Sequence, residues 1–293
     1  MQVTAQQMKF PLRKKAEFID QNPLFMKIRQ FVHSTCFVSM SLFLASLFVS
    51  CEEDSALFIS PNQQIVLGQQ LDSAIMADPA QYPILDEGQY DDAYQYLQGM
   101  LDEILASDDL RYEEFPWQIK IIEDDEVLNA FAAPGGFMYV YTGLIKYLDT
   151  EDDLAGVIGH EVAHADLEHS ARMMERNYTA QTLLSIVLGE GSAQIGDIAA
   201  GLAGLSFSRS FETDADERSV EYLADTDYNC AATASFFQKL QDSGQAGGGP
   251  EFLSTHPNPD NRVENINAKA NEVGCDTTPL DPPTYQDFQN MLP

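Results

Sequence analysis

Positively charged side chains are scarce in this sequence. Of 293 residues, 16 are Lys or Arg and 46 are Asp or Glu, which gives a formal net charge of −30. Nucleic-acid binding depends on clustered Lys and Arg side chains that neutralise phosphates, so the composition argues against a nucleic-acid partner. We interpret the acidic surface as a source of solubility rather than as a site for a cationic partner.

Cysteine is also rare. The chain has four cysteines, and no two of them are spaced as C-x-x-C, which argues against a cysteine zinc site. Cys36 and Cys51 belong to an apolar N-terminal region. Cys230 and Cys275 remain for the folded part, and in an exported protein they could form one disulfide.

Charged residues are missing altogether from residues 31–50, an apolar run near the N-terminus. Lys27 and Arg29 precede this run, and the sequence "FVSC" closes it at Cys51. The order of basic flank, apolar run, small residue and cysteine predicts a bacterial lipoprotein signal, with the lipid on Cys51 anchoring the protein to a membrane. A transmembrane anchor is the alternative, since about 20 apolar residues can span a bilayer. Met26 is a second candidate start of translation.

These features divide the chain into four parts. We expect a prefix with the signal at 1–50, a tether at 51–61, one folded domain at 62–273 and an irregular tail at 274–293. A lipoprotein signal places the domain in the bacterial cell envelope, facing the periplasm.

Hydrophobic periodicity indicates an α+β fold that is mainly helical. Helical spacing is present in Gln63–Met76 and Asp91–Ala106, whereas Trp117–Tyr141 has a period of two with a Pro-Gly-Gly turn. We expect a small antiparallel sheet there. Thr150, followed by three acidic residues, then predicts a helix over residues 152–168.

The sequence "HEVAHADLEH" in this helix contains three of the five histidines. Positions i and i+4 lie on one helical face, so His160 and His164 can direct two ring nitrogens at one cation, and Glu161 can act beside it as a general base. The surrounding sequence is apolar, and burying such groups without a partner is costly. The pattern predicts a catalytic zinc site.

A third ligand has to come from elsewhere in the chain. His169 is five residues beyond His164, which rotates it about 140° from the ligand face, so we expect a structural role for it at the helix C-terminus. Glu212 and Asp216 are four apart on a later predicted helix. One of them can bind the metal while the other orients a ligand histidine.

Four motifs resemble a known family of membrane-associated zinc metallopeptidases. They are "NAFAAPGGFMYVYTGLI", "HEVAHADLEH", "SRSFETDAD" and "THPNPDNR". This family includes HtpX, the CAAX prenyl proteases and the mitochondrial Oma-type enzymes, and the sequence is most similar to the exported, often lipoprotein, bacterial members. The resemblance implies a gluzincin-type domain with an H-E-x-x-H active-site helix.

The resemblance also implies roles for individual residues. The implied ligands of one Zn²⁺ per chain are His160, His164 and Glu212, with Glu161 as general base and Asp216 hydrogen-bonded to a ligand histidine. His256 would steady the transition state or cap the metal in a latent form, and its alternative is a loop anchor. Arg262 is expected to pack structurally. The implied edge strand for an extended substrate is formed by Phe137, Met138, Tyr139, Val140 and Tyr141.

The leading hypothesis is a zinc metalloendopeptidase that hydrolyses peptide bonds in unfolded or misassembled envelope proteins. The alternative is a catalytically latent zinc-binding lipoprotein with a chaperone or binding role. A zinc hydrolase for non-peptide substrates is less favoured, because the implied substrate strand suits an extended polypeptide.

Overall fold

The computed structural model describes residues 57–242, 251–257, 261–280 and 284–293. The predicted signal and the lipidation site Cys51 lie outside the described residues.

The α+β class is confirmed, since helices predominate beside one small sheet. The strands are β1 (Gln118–Ile122), β2 (Ala130–Ala133) and β3 (Phe137–Tyr141). The helices are α1 (Pro61–Met76), α2 (Asp91–Leu105), α3 (Thr142–Tyr147), α4 (Glu151–Asp166), α5 (His169–Asn177), α6 (Ala180–Val187), α7 (Ser192–Leu202), α8 (Arg209–Leu223), α9 (Ala232–Asp242), α10 (Glu251–Thr255), α11 (Arg262–Val273) and α12 (Thr284–Gln289).

Helix α4 carries the "HEVAH" sequence and has well-defined ends. At its start, Thr150 Oγ1 accepts a hydrogen bond from the Asp153 N–H, and the Asp153 carboxylate accepts one from the Thr150 N–H, both at 3.2 Å. This capping box satisfies two N–H groups that the first helical turn leaves free. The helix ends at Asp166, because Glu168 adopts a left-handed backbone conformation with φ 63°.

Helix α4 is buried along almost its whole length. It packs against β2, α2, α8 and α9. At Gly156 a Cβ atom would approach the backbone nitrogen of Thr233 to 2.5 Å, so glycine is needed for the close contact with α9. Thr233 Oγ1 also donates a hydrogen bond to the Gly156 carbonyl at 3.1 Å. These contacts pack α4 closely against α9 inside the domain.

The sheet is mixed, with strand order β1-β3-β2. Strand β2 pairs with β3 antiparallel, whereas β1 pairs with β3 parallel. The hairpin follows from the local turn, where Gly135 and Gly136 have φ values of 80° and 87° that suit glycine. The expectation of an antiparallel sheet was wrong for β1, because its position on the far side of β3 depends on a crossover rather than on a local turn.

Side chains of β3 alternate between two apolar clusters. Phe137, Tyr139 and Tyr141 join a cluster with α1, whereas Met138 and Val140 join the cluster that includes α2 and α4. This alternation is the period of two expected of a strand with both faces covered. The sheet therefore separates α1 from α4.

The C-terminal part is more ordered than predicted. Helix α12 lies within the expected irregular tail, and Tyr285 in it donates a hydrogen bond to the Ile145 carbonyl at 2.7 Å. Phe288 stacks on Tyr96 with ring centroids 4.2 Å apart. The tail forms this helix because its aromatic side chains are buried against the domain.

The possible disulfide between Cys230 and Cys275 is confirmed. It joins the segment before α9 to the segment after α11, which are 45 residues apart. Within the described part of the chain, no helix has both the length and the apolar character needed to cross a bilayer.

Candidate active site

Helix α4 places two histidines on one face, as the spacing predicts. His160 Nε2 and His164 Nε2 lie 3.0 Å apart, and both side chains are fully buried. Two ring nitrogens this close repel each other unless a proton or a cation lies between them. The helix thus provides two donor atoms directed at one point.

Helix α8 brings a third donor to this point. Ser208 caps its N-terminus, and Glu212 lies in its first turn. Glu212 Oε1 is 3.4 Å from His164 Nε2, and its Oε2 is 3.5 Å from His160 Nε2. Burial raises the pKa of Glu212, but the charge of His256 and hydrogen bonds from the histidines outweigh burial and hold the pKa well below its ordinary value.

His256, directly after α10, supplies a fourth donor. Its Nδ1 lies 3.4 Å from His160 Nε2 and 3.1 Å from Glu212 Oε1. Its ring stacks on Phe252 at a centroid distance of 4.2 Å, which fixes its plane. One atom each from His160, His164, Glu212 and His256 lies within 4.8 Å of the others, so this group could hold a metal ion.

Behind these donors lies a buried ion-pair network. Asp216 Oδ1 is 3.0 Å from His160 Nδ1, and Arg262 donates two hydrogen bonds to Asp216, from Nε at 2.6 Å and from Nη2 at 2.7 Å. Arg262 Nη2 also lies 3.0 Å from Glu212 Oε2. Burial lowers the pKa of His160, but its hydrogen bonds to Asp216 and Glu212 outweigh burial and raise the pKa to about 9.

Arg262 has more contacts than sequence reasoning assigned to it. It does pack, with its guanidinium 3.5 Å from the centre of the Phe237 ring, but it also compensates the charge of Glu212 and Asp216. In the sequence, only the spacing of Arg262 after "THP" pointed to a role for this residue. A lone arginine at the start of a helix does not reveal which carboxylates it will meet.

Glu161 lies beside the donor group and is almost completely buried, at 2% exposure. Neither of its carboxylate oxygens has a hydrogen-bond partner among the described residues. His256 Nε2 is 3.4 Å from Glu161 Oε1. Burial raises the pKa of Glu161, although the charges of His256 and His160 oppose this rise. Burial thus favours the protonated form of this carboxyl, which places a group able to take and return a proton beside the donor atoms.

This combination of residues occurs within a segment, residues 92–270, that matches peptidase family M48. The chain belongs to peptidase family M48. Members of this family are metal-dependent peptidases, and the buried His/Glu group is the candidate metal site of this chain.

Several relatives are similar in sequence to part of this M48 chain. A beta-barrel assembly-enhancing protease from Yersinia pestis is 32% identical over 172 residues, which cover 54% of this chain and 35% of that protein. A mitochondrial metalloendopeptidase OMA1 from Arabidopsis thaliana is 32% identical over 149 residues, covering 50% of this chain and 30% of that protein. OMA1 from Schizosaccharomyces pombe is 29% identical over 177 residues, which cover 58% of this chain and 51% of that protein. The chain thus matches about a third to a half of the length of these relatives.

His169 differs from the sequence expectation. It is the first residue of α5 rather than the last of α4, because the chain reverses at Glu168. Its Nδ1 lies 3.1 Å from His164 Nδ1, on the side of that ring away from the donor group. Its ring stacks on Phe211 at 4.2 Å. The rotation argument correctly removed His169 as a donor, but it assumed one continuous helix and missed this contact.

The expected substrate strand is also corrected. Phe137–Tyr141 forms β3, which is the central strand and is paired on both sides, so its backbone cannot pair with a substrate. Strand β2 is an edge of the sheet and packs on α4. On β2, the Ala132 carbonyl accepts a hydrogen bond from Ser170 Oγ at 2.6 Å. The residues "AFAA" of β2, rather than "FMYVY", lie closest to the site helix.

The whole site is closed to solvent. His160, His164, Glu212 and His256 are 0% exposed. Phe207 stacks on His164 with centroids 3.8 Å apart, and its N–H donates to the Thr255 carbonyl at 3.0 Å, next to His256. A polypeptide can reach Glu161 only if one of the segments that cover the site moves.

Proposed function

We propose that this M48 chain is a zinc-dependent endopeptidase that hydrolyses peptide bonds in unfolded or misassembled proteins of the bacterial cell envelope. The observation that carries the proposal is the buried carboxylate of Glu161, which accepts no hydrogen bond from the described residues and lies beside four converging donor atoms. A buried carboxylate without a hydrogen bond is costly, and proteins retain such groups mainly where they react.

The donor set suits one Zn²⁺ ion. The edges of a tetrahedron around zinc with nitrogen and oxygen ligands are roughly 3.3–3.4 Å long. Five distances among the donor atoms of His160, His164, Glu212 and His256, counting either Glu212 oxygen, range from 3.0 to 3.5 Å, and all four donors lie within 4.8 Å of one another. A set of imidazoles and one carboxylate is typical of catalytic zinc rather than of calcium or magnesium.

The chain's own residues have distinct chemical tasks in this mechanism. When held by His160, His164 and Glu212, with His256 away from the fourth position, zinc would polarise the substrate carbonyl and make water a stronger acid. Glu161 would take the proton from the attacking water and pass it to the leaving amine. Asp216 holds the His160 ring through Nδ1, and Arg262 prevents the carboxylates of Glu212 and Asp216 from repelling each other.

Strand β2 is the proposed docking edge for the substrate. An extended peptide that adds to an edge strand is held by backbone hydrogen bonds, which gives weak sequence preference and selects unfolded segments. Because β2 packs on α4, a strand added there would lie next to the helix that carries Glu161. All four β2 residues are buried, and Ser170 donates to the Ala132 carbonyl, so this edge would have to open before a substrate could pair with it. Proteolysis of an unfolded chain, but not of its folded form, is the expected specificity.

A test of the proposal combines metal analysis with proteolysis by the purified protein. The Glu161→Gln variant should retain zinc, since Glu161 is not among the four donors, and should lose cleavage of an unfolded protein. His164→Gln is the matched comparison, because it should lose both zinc and cleavage. Undiminished cleavage by Glu161→Gln would show that another group is the base.

One observation favours a second candidate function, a latent zinc-binding protein with a chaperone or binding role. His256 Nδ1 occupies the fourth position of the donor group, and the site is closed. In a latent protease, His256→Ala should increase cleavage of unfolded protein relative to the wild type. Zinc binding without cleavage by either form would favour the binding role.

The cellular setting rests on the sequence. We propose that a lipid on Cys51 anchors the chain to a membrane with the domain facing the periplasm, where unfolded envelope proteins would be substrates. The name of the Yersinia pestis relative, a beta-barrel assembly-enhancing protease, supports an envelope role. Cys51→Ser should move the protein to the soluble fraction. Unchanged membrane association would indicate a helical anchor instead.

A further inference from the structure

We infer that His169 is a positioning residue that fixes the ring orientation and the tautomer of His164 for metal binding. The inference rests on the zinc site proposed above and assigns a role in that site to the last histidine of "HEVAHADLEH". The main evidence for this role is the 3.1 Å distance between His169 Nδ1 and His164 Nδ1.

The protonation of His164 follows from which nitrogen faces the donor group. His164 Nε2 is the atom near Glu212 and His160, at 3.4 Å and 3.0 Å. A neutral imidazole that binds metal through Nε2 carries its proton on Nδ1. The His164 Nδ1–H then donates, and His169 Nδ1 must be the acceptor. The reverse arrangement would place the proton on His164 Nε2 and would block metal binding.

The fold places this acceptor by interrupting the helix. Glu168 has a left-handed conformation with φ 63°, which is unusual for a residue that is not glycine. The Gln64 side chain in α1 donates a hydrogen bond to Glu168 Oε1 at 2.6 Å. This reversal brings His169 behind His164, a position that a continuous helix would rotate away.

The orientation of the His169 ring is also restrained by its neighbours. It is 3% exposed and stacks on Phe211 with an interplanar angle of 11° and centroids 4.2 Å apart. A hydrogen bond holds its direction only when the acceptor itself cannot rotate. Stacking on one side and burial on all sides supply that restraint.

The two α4 histidines therefore have different supports. His160 is supported by the carboxylate of Asp216 at 3.0 Å, and His164 by an imidazole. A carboxylate at position 169 would bury a further charge, which is costly, whereas an imidazole accepts the hydrogen bond without adding one.

Two substitutions separate positioning from packing. His169→Phe keeps a flat ring to stack on Phe211 but removes the acceptor. His169→Asn places its Oδ1 at the same distance along the side chain as His Nδ1 and can accept the hydrogen bond. Loss of a hydrogen-bond partner of a metal ligand typically weakens metal binding by about 10- to 100-fold. We expect a loss of that size for His169→Phe and a loss of less than about 5-fold for His169→Asn.

Zinc affinity is measured by competition with a chromophoric chelator, and the unfolding temperature of each protein is measured without metal. The inference is supported if His169→Phe weakens zinc binding while His169→Asn largely retains the wild-type affinity. Affinity of His169→Phe within about threefold of the wild type overturns it, as do equal losses in both variants. Absence of zinc binding by the wild-type protein would overturn the proposed metal site as well.

A measurement on the wild-type protein covers the case in which His169→Phe does not fold. In the zinc-loaded protein with nitrogen-15-labelled histidine, NMR should locate a proton on His164 Nδ1 and a coupling across the hydrogen bond to His169 Nδ1. A proton on His169 Nδ1, or no coupling between the two nitrogens, would overturn the inference.

Discussion

Removal of the Arg262 guanidinium is the most direct test of the buried ion-pair network. The side chain is 1% exposed, makes two hydrogen bonds to Asp216 and lies 3.0 Å from Glu212. Arg262→Met keeps the apolar length that packs on Phe237 and removes the charge. Both carboxylates would then remain buried without their strongest counterion.

The expected destabilisation follows from this burial. Breaking a buried ion pair by removing one partner costs about 3–5 kcal/mol. Because His160 stays beside both carboxylates, we expect the lower part of this range, about 3–4 kcal/mol. With an m value of about 3 kcal/mol/M for a domain of this size, the urea midpoint should fall by about 1 M.

The control for this experiment lies in the same pair of helices. Lys269 in α11 pairs with Glu221 in α8 at 2.6 Å, but these side chains are 16% and 24% exposed. Lys269→Met should therefore cost less than about 1 kcal/mol. In a double-mutant cycle, Asp216→Asn should reduce the cost of Arg262→Met, because one of the unpaired charges is then absent. A cost below about 1 kcal/mol for Arg262→Met, or strictly additive losses, would refute the reasoning.

Three further predictions concern stability. Chelation of the metal should lower the unfolding temperature by roughly 8–16 °C, which corresponds to about 4 kcal/mol for an ion present at about 1,000 times its Kd; an unchanged temperature would contradict a structural contribution from metal. Replacing Cys230 and Cys275 together by Ala should cost about 4 kcal/mol on the loop-entropy model, for the separation of 45 residues, and equal urea midpoints for the two proteins would contradict it. Burial raises the pKa of Glu161 above its unfolded value of about 4.5. The metal-free folded state therefore binds the proton more tightly than the unfolded state, and as pH rises the charged carboxylate destabilises the folded state. Metal-free Glu161→Gln should thus be more stable than the wild type at pH 7, with the difference shrinking towards pH 4; a difference that does not depend on pH would show that the carboxyl is not responsible.

The local features of the site were predictable because they depend on neighbours in sequence. The i and i+4 spacing placed His160 and His164 on one face, and the capping box at Thr150 set the start of α4. The helical spacing of Glu212 and Asp216 indicated that one could bind metal and the other could support a histidine. Family resemblance then selected Glu212, which the structure brings beside both histidines.

Features that depend on long-range packing were missed or assigned wrongly. Strand β3 was expected at the sheet edge, but β1 reaches it through a crossover that no local pattern encodes. His169 was judged by the geometry of one continuous helix, and the reversal at Glu168 depends in part on Gln64, about 100 residues earlier in the chain. The partners of Arg262 lie in α8, more than 40 residues away.

The sequence by itself determined the helix that carries the histidines, the two candidates for the third donor, Glu212 and Asp216, and the membership of residues 92–270 in family M48. Each of these depends on residue types at fixed short spacing. Only the tertiary structure decided that His256 completes the donor group, that Arg262 balances its charge and that the site is closed. Burial of these charged groups depends on contacts between elements far apart in the chain, and short-range periodicity carries no information about them.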